Sequence, residues 1–326
     1  MQPTKNPNSA PPPRIVIAGG SGFLGRGLAW YLAEHGYQVT VLSRSPQPGD
    51  HWPQNTLWHI WDGRTTDDWA GCLDGAAAVV NLVGRSVDCR KTPENKKIIF
   101  ESRIHSCEAL GRAMKTLENP PPVWLQSATA HIVGDPIPED TRCDESTSPG
   151  IGMAPEVGTA WEQALNENVL ENQRAVIMRI SFVLGRDGGA LKRLGFMTRI
   201  GLGGTVGTGT QWVSWIHQHD LNRLCLAMIT DSSYRGVYMV TAPEPITNRI
   251  FMKALRKAYR RPWSPPAPTI GVRLACRLLL NTDPELALLG RRCVPKRLVE
   301  QHGFGFEYPQ IDLAMADLVS PSKPAG

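Results

Sequence analysis

The stretch that decides the fold is RIVIAGGSGFLG, which runs from Arg14 to Gly25. Its first part, Ile15-Val16-Ile17-Ala18, is a short apolar run typical of a buried β-strand, and the apolar residues after it suit one face of a helix. Three glycines between strand and helix give the spacing GxxGxxG. A missing Cβ permits a sharp turn, close approach of a pyrophosphate, or tight packing of helix on strand. The pattern predicts a dinucleotide-binding turn whose cofactor-binding residues are Gly19, Gly22, Phe23, Leu24 and Gly25.

Further apolar runs alternate with helical segments along the chain. We predict strands at 38–42, 57–61, 78–84, 123–127 and 175–180, and a helix over about 93–114. The run at 78–84 is continuously apolar apart from Asn81, as in a parallel strand that is covered on both faces. This alternation predicts an α/β fold, a doubly wound parallel-sheet Rossmann domain.

The end of the second predicted strand indicates the type of dinucleotide. Ser43-Arg44 stands there, and no carboxylate follows before Asp50. In such folds an acidic residue binds the ribose 2′-hydroxyl, whereas an arginine accommodates a 2′-phosphate. Because a hydrogen bond to a charged group contributes ~1.5 to 3 kcal/mol, Arg44 would favour NADP over NAD about tenfold to a hundredfold. The alternative is an exposed arginine that begins a loop.

Two other strand ends are predicted to lie beside the cofactor, because ligands of parallel sheets bind beyond the carboxyl ends of the strands. Asp62 follows the third strand, from which it could reach the adenine edge. Leu82, Val83 and Gly84 end the fourth strand. These assignments rest on position alone.

Composition argues against several classes of function. The formal net charge is only +5 and the basic residues are spread along the chain, so we expect no nucleic acid or membrane partner. The seven cysteines include no CxxC, so we expect reduced thiols and no metal site. No apolar run is long enough to cross a membrane and no signal peptide is evident, so we expect a cytoplasmic protein. The proline-rich residues 1–13 are predicted to be a disordered tail.

With these motifs the chain resembles the extended short-chain dehydrogenase/reductase superfamily and, more closely, the YfcH-like epimerase-family proteins. The narrower resemblance rests on short motifs that occur in one order along the chain: Ser102-Arg103, Thr129-Ala130-His131, Trp161-Glu162, Gly188-Gly189-Ala190-Leu191, Gln211-Trp212-Val213-Ser214-Trp215, Ala242-Pro243-Glu244 and Val294-Pro295-Lys296.

The resemblance implies an NADP(H)-binding Rossmann domain over 14–185, to which 212–233 returns, and a smaller, interleaved C-terminal lobe over 186–320 that binds substrate. It also implies a small-molecule substrate and a possible homodimer. Five positions are similar to cofactor contacts of that family, namely Ser43, Arg44, Leu82, Val83 and Arg103.

The superfamily's usual acid/base pair, a tyrosine followed by a lysine in YxxxK, is missing. The sequence holds no tyrosine between Tyr37 and Tyr234 and no lysine between Lys115 and Lys192. The expected positions hold roughly Ala154 and Gly158, which cannot transfer a proton.

Two residues after the fifth strand are the candidate catalytic groups. Thr129 matches the superfamily's hydroxyl residue that orients the substrate. His131 would share a side with Thr129 if the strand geometry persists, and its ordinary pKa of ~6.5 suits acid/base work. The alternative for His131 is a hydrogen-bonded structural histidine.

Three functions remain open at this point. The first is an NADP-dependent oxidoreductase or epimerase that acts on a small molecule. The second is a non-catalytic NADP(H)-binding redox sensor or regulator, which the missing pair favours. The third is a structural or interaction protein with a vestigial cofactor site.

Overall fold

The computed structural model describes residues 11–46, 49, 52–135, 138, 140–277 and 281–320. Of the predicted disordered tail, residues 1–10 lie outside this part of the chain. Within it, the strands in chain order are β1 (Arg14–Ala18), β2 (Gln38–Ser43), β3 (Leu57–Ile60), β4 (Ala78–Asn81), β5 (Val123–Thr129), β6 (Arg142–Cys143), β7 (Arg174–Ile180), β8 (Phe182–Leu184), β9 (Trp212–Val213), β10 (Trp215–His217), β11 (Gly236–Val240), β12 (Ile246–Thr247) and β13 (Arg292–Cys293).

A seven-stranded parallel sheet forms the centre of the molecule, in the order β11-β7-β5-β4-β1-β2-β3. The order reverses between β1 and β4, as in the doubly wound α/β fold predicted from the sequence. The fold class is confirmed.

Helices cover both faces of this sheet. The described helices are α1 (Phe23–Glu34), α2 (Pro93–Met114), α3 (Met153–Asn168), α4 (Gly189–Arg199), α5 (Gln218–Thr230), α6 (Asn248–Ala258), α7 (Thr269–Ala275), α8 (Glu285–Leu288), α9 (Lys296–Glu300) and α10 (Ile311–Val319). Side chains alternate along β1, so Ile15 and Ile17 pack with α1 and α5, whereas Val16 and Ala18 pack with α2 and α3. The strands are therefore buried on both sides, which explains their continuous apolar runs.

A smaller lobe is built from α4, α6 and α10. Their apolar side chains form a separate core around Trp215, Phe251 and Leu255. Two short parallel pairs, β8 with β10 and β6 with β13, connect this lobe to the end of the sheet. No helix among the described residues has the length and apolar composition needed to cross a membrane.

The edge strand β11 corrects the predicted division of the chain. Residues 234–320 are predicted to belong to the C-terminal lobe, but β11 pairs with β7 in the central sheet. Its residues Tyr238, Met239 and Val240 are completely buried. A run of five residues that begins with glycine carries too weak a strand signal to be found from the sequence. The other domain boundaries stay predictions.

The strand β4 is shorter than predicted because a side chain takes over its hydrogen bonding. The sequence predicts a strand over 78–84, whereas β4 ends at Asn81. The Asn81 Oδ1 atom accepts a hydrogen bond from the Val83 backbone N–H at 3.1 Å, which turns the chain out of the sheet.

A buried ion pair joins α3 to the sheet. The Arg179 guanidinium on β7 donates to both carboxylate oxygens of Glu162 on α3, at 2.7 and 2.9 Å. Both side chains are largely buried, with 8% and 13% of their surfaces exposed. Removing one partner would leave the other charge unpaired in a site poor in water.

His217 connects the smaller lobe to the sheet-covering helix α5. Its Nδ1 atom accepts the His219 backbone N–H at 3.0 Å, its Nε2 atom lies 3.3 Å from Asp317 on α10, and its ring stacks on Tyr308. Burial lowers the pKa of His217 to about 4, against the opposing effect of Asp317 and Asp220. The folded protein therefore holds this imidazole in its neutral form at neutral pH.

We expect Glu162→Ala to lower the free energy of unfolding by about 3 kcal/mol, because it leaves the buried Arg179 charge without its carboxylate partner. Urea denaturation monitored by circular dichroism measures this loss. Glu167→Ala is the matched control, since Glu167 lies on the exposed face of the same helix and should cost within about 0.5 kcal/mol. Equal losses in the two variants would contradict the structural role of the pair.

We expect acid to destabilise the protein through His217. Between pH 6.5 and 4 the unfolded chain binds a proton on this residue and the folded chain does not, so stability falls as the pH falls. His217→Asn keeps a side-chain acceptor at the helix N-terminus and should make this decline shallower by up to about 1.4 kcal/mol per pH unit. Urea unfolding at a series of pH values measures the slope. An unchanged slope would show that His217 is not buried in its neutral form.

Candidate functional site

The glycine turn after β1 is held by backbone contacts that leave no room for side chains. A Cβ at Gly25 would lie 2.5 Å from the Gly20 Cα atom, and one at Gly19 would lie 3.1 Å from the Leu82 carbonyl group. Gly19 also has a φ of +76°, which L side chains rarely adopt. The turn therefore needs glycine for its shape, at two of the three positions of the motif.

The helix α1 presents free backbone N–H groups to this turn. Its N-cap is Gly22, no side chain caps it, and its first turn contains no acidic residue. The first N–H groups of a helix have no partner inside the helix, and they attract anions. The Phe23 ring packs against Gly185 and Gly188, and Leu24 packs against the apolar core, so Phe23 and Leu24 present only their backbone N–H groups to a phosphate.

The end of β2 is joined directly to the glycine turn. The buried Ser43 hydroxyl donates to the Ser21 hydroxyl at 2.8 Å. Arg44 follows as an exposed residue, and no ion pair to its guanidinium is found within the described part of the chain. The structure thus places an exposed cation directly after the serine that binds the glycine turn, on the side where the adenine ribose lies in dinucleotide-binding folds.

Asp62 lies in the loop after β3, where its carboxylate holds the loop together. The Oδ1 atom accepts the backbone N–H groups of Arg64 at 2.7 Å and Thr65 at 2.9 Å. Partial burial acts to raise the pKa of Asp62, but these hydrogen bonds outweigh it and keep the pKa below its ordinary value. The next residue, Gly63, approaches the Val83 side chain, so the loop borders the predicted cofactor side.

A network of buried amides fixes the segment after β4. The Asn81 Nδ2 atom donates to Gln126 Oε1 on β5 at 3.0 Å and to the Ser106 hydroxyl at 3.2 Å. Because its Oδ1 atom binds the Val83 N–H, the network holds Leu82 and Val83 at the sheet edge beside Gly19. Leu82, Val83 and Gly84 were predicted from the sequence, whereas the residues that position them were not. A single polar residue inside the apolar run 78–84 was the available signal.

Arg103 on α2 lies over Gly84. Its guanidinium carbon would lie 3.2 Å from a Cβ at Gly84 and is 4.7 Å from the centre of the Trp161 ring. Its Nη1 atom donates to the backbone oxygens of Ile99 and Arg85. Burial lowers the pKa of Arg103 to about 10, so the group stays charged at neutral pH. The described residues offer it no carboxylate, which leaves this charge for an anion.

The structure changes the relation predicted between the two candidate catalytic residues. Thr129 ends β5, and a 3-10 turn over Ala130–Val133 begins directly after it, so strand geometry does not persist to His131. The Thr129 Oγ1 atom accepts the His131 backbone N–H at 3.1 Å. Removal of the imidazole from water, together with the Arg291 charge, lowers the pKa of His131 to about 3. His131 is therefore uncharged at neutral pH and poorly suited to proton transfer.

The predicted position of the missing lysine faces tightly packed side chains. Gly158 on α3 lies against the fully buried Ile132, and a Cβ at Gly158 would stand 3.0 Å from the Ile132 Cβ atom. Ala154, at the predicted tyrosine position, lies one turn earlier on the same helix and is half-buried. The catalytic roles of Thr129 and His131 stay predictions.

Other titratable groups near this end of the sheet have structural partners. The Glu145 carboxylate accepts the backbone N–H groups of Met239 and Arg297. Arg291 donates to the Gly134 carbonyl at 2.7 Å and pairs with Asp135 at 3.0 Å. The seven cysteines are free, and the described residues contain no cluster of side chains that could hold a metal ion.

The chain is similar to known proteins in sequence and in fold. Residues 15–240 match the NAD dependent epimerase/dehydratase family, and residues 267–318 match a domain of unknown function, DUF1731. The chain is 33% identical over 308 residues to the chloroplastic epimerase family protein SDR39U1 homolog of Arabidopsis thaliana, covering 92% of this chain and 85% of that protein. It is 30% identical over 315 residues to SDR39U1 of Bos taurus, covering 94% of this chain and 100% of that one.

The fold is similar to a crystal structure of human epimerase family protein SDR39U1 with NADPH. The TM-score is 0.82 at 26% identity, and the match covers 94% of this chain and 99% of the human one. The narrower YfcH-like resemblance stays a prediction. The family match over residues 15–240 agrees with the glycine turn and with the reversal of strand order beside it. This chain belongs to the NAD dependent epimerase/dehydratase family.

Proposed function

We propose that this chain binds NADP(H) at the glycine turn. The observation that carries the proposal is the turn itself, where glycines admit a pyrophosphate to an uncapped helix N-terminus that contains no acidic residue. Arg44 provides a cation for a 2′-phosphate, and Leu82, Val83 and Arg103 border the cofactor further along the sheet edge. The human protein of the same fold was crystallised with NADPH, which supports the same cofactor here.

The proposed reaction is of the oxidoreductase or epimerase type on a small molecule. NADP(H) supplies hydride transfer when it is bound. A threonine hydroxyl has one hydrogen to donate, and Thr129 already accepts the His131 N–H, so its own O–H remains available for a substrate oxygen. In this proposal Thr129, the last residue of β5, orients the substrate. The seven free cysteines support a reducing compartment such as the cytoplasm.

One observation favours a second candidate, a non-catalytic NADP(H)-binding redox sensor. The described turn after β5 offers no group that titrates near neutral pH, because His131 is held neutral and Gly158 is packed against Ile132. In that case cofactor binding would change the protein or its association without turnover.

We expect the protein to bind NADPH at least about tenfold more tightly than NADH, because only NADPH places a phosphate beside Arg44. Titration of each nucleotide, followed by the fluorescence of the ten tryptophans, measures the two affinities. Arg44→Asp should weaken NADPH binding about tenfold to a hundredfold and NADH binding little. Arg142→Asp changes an exposed arginine on β6 and should leave both affinities unchanged.

Absence of binding by either nucleotide would overturn the proposed cofactor site. Equal losses for NADPH and NADH in Arg44→Asp would show instead that Arg44 does not contact the 2′-phosphate.

We expect Thr129→Val to lower turnover about tenfold or more while the affinity for NADPH stays unchanged, because the variant loses the Thr129 hydroxyl, with its hydrogen bond from the His131 N–H, and leaves the glycine turn intact. NADPH absorbance in the presence of a panel of small carbonyl compounds measures turnover. Thr141→Val is a suitable control, since the Thr141 hydroxyl lies in the loop before β6 and donates to a backbone oxygen there. Tight NADPH binding with no absorbance change for any compound would favour the sensor.

A further inference from the structure

Basic residues are concentrated in one segment of the smaller lobe. Residues 248–277 contain eight lysines and arginines and no acidic residue. Taking these eight from the chain's 35 basic residues leaves 27 against 30 acidic ones, so the rest of the chain is net negative. We expected no membrane partner because the overall net charge is modest. That net charge is an average over the chain, and this segment has a strong local excess of positive charge.

The same segment exposes large apolar side chains. Trp263 is 73% exposed, Ile270 is 82% exposed and Leu274 is 57% exposed. Soluble proteins seldom leave several bulky apolar residues exposed together, and those that do use them for binding. We call Arg260, Arg261, Trp263, Ile270, Arg273 and Leu274 the basic apolar surface.

The helix α7 shows how charge and apolar area are combined. Ile270, Arg273, Leu274 and Arg277 recur at helical spacing and are all exposed, whereas Val272 and Ala275 face the protein and are half-buried. This helix turns two aliphatic side chains, Ile270 and Leu274, and one basic side chain, Arg273, to solvent, and Arg277 follows just beyond its last residue.

Backbone contacts fix the segment that joins Trp263 to α7. Between them, the Ala267 backbone N–H donates to Thr205 and its carbonyl accepts the Gly207 N–H, at 2.8 and 2.9 Å. Gly204 lies directly against Pro265, so the inner side of the proline segment is covered. The turn that follows α4 adds Ile200 and Leu202, both more than half exposed, beside this contact.

The cations of this surface have no partners in the part of the chain that the structure describes. No ion pair or side-chain hydrogen bond to Arg260, Arg261 or Arg273 is found among the described residues. Such arginines, together with exposed aliphatic and tryptophan side chains, are complementary to a binding partner whose surface is anionic and whose interior just below the surface is apolar. A nucleic acid would complement the positive charge but would not bury the aliphatic side chains. An apolar protein face would bury the aliphatic side chains but would not complement the charge.

We propose that the basic apolar surface docks the protein on anionic lipid membranes. Ile270 and Leu274 enter the boundary between headgroups and acyl chains, and Trp263 lies at the same depth, where tryptophan is favoured. Arg260, Arg261 and Arg273 lie at the level of the lipid phosphates and carboxylates, which attract them. The protein is held at the membrane surface by these side chains.

Co-sedimentation of the full chain with vesicles tests this docking. Vesicles of phosphatidylcholine with about 30% phosphatidylserine should bind the protein in about 0.1 M salt, and pure phosphatidylcholine should bind it at least about tenfold more weakly. Ile270→Ser/Leu274→Ser and Arg260→Gln/Arg261→Gln/Arg273→Gln should each reduce binding about tenfold or more. Circular dichroism and the thermal midpoint confirm that both variants are folded.

Two control variants make the test specific to this surface. Lys96→Gln/Lys97→Gln removes two exposed charges from α2, and Ile60→Ser removes a 64% exposed aliphatic side chain from the edge strand β3. Both should bind anionic vesicles as the unchanged protein does. The proposal is overturned if no vesicle binds or if the controls lose as much affinity as the surface variants. It is also overturned if Ile270→Ser/Leu274→Ser binds unchanged, or if an RNA oligonucleotide or an acidic protein binds at lower concentration than the vesicles.

Discussion

The structure depends on the contact between Gly20 and Gly25, where one backbone passes so close to another that a Cβ would lie 2.5 Å from the opposing Cα atom. This contact sets the angle at which α1 leaves the strand. From the same turn Gly19 packs against Leu82 and Ser21 binds Ser43, so the ends of three neighbouring strands are fixed by one loop. The arrangement leaves the helix N-terminus open towards the carboxyl edge of the sheet, where a dinucleotide phosphate fits.

A second constraint acts at the next strand, where Asn81 is completely buried. Burying an amide costs free energy unless its hydrogen bonds are replaced, and here Gln126, Ser106 and the Val83 backbone replace them. The polar network lies in the interior of the protein, but it determines the path of the chain at the edge of the sheet. It ends β4 early and holds Leu82 and Val83 against Gly19 of the glycine turn.

The sequence predicts the parts of this site that follow from local rules. Glycine spacing identified the turn, and the change from strand to helix periodicity identified the parallel sheet, because both are properties of neighbouring residues. The pairing of Asn81 with Gln126 joins residues far apart in the chain, so no local pattern could reveal it. The prediction that Thr129 and His131 share one side of a strand was wrong for another reason. The strand ends at Thr129, whose own side chain caps the turn that follows.

Packing disfavours a lysine at Gly158, the position predicted for the lysine of the usual acid/base pair. Ile132 is completely buried against Gly158, so a lysine at that position would have to displace part of a core. Protein interiors are packed too densely for a small local movement to make such room. Burial also holds His131 neutral, so the turn from Thr129 to Val133 contains no group that titrates near neutral pH. The Thr129 hydroxyl therefore has no partner within this turn that titrates near neutral pH.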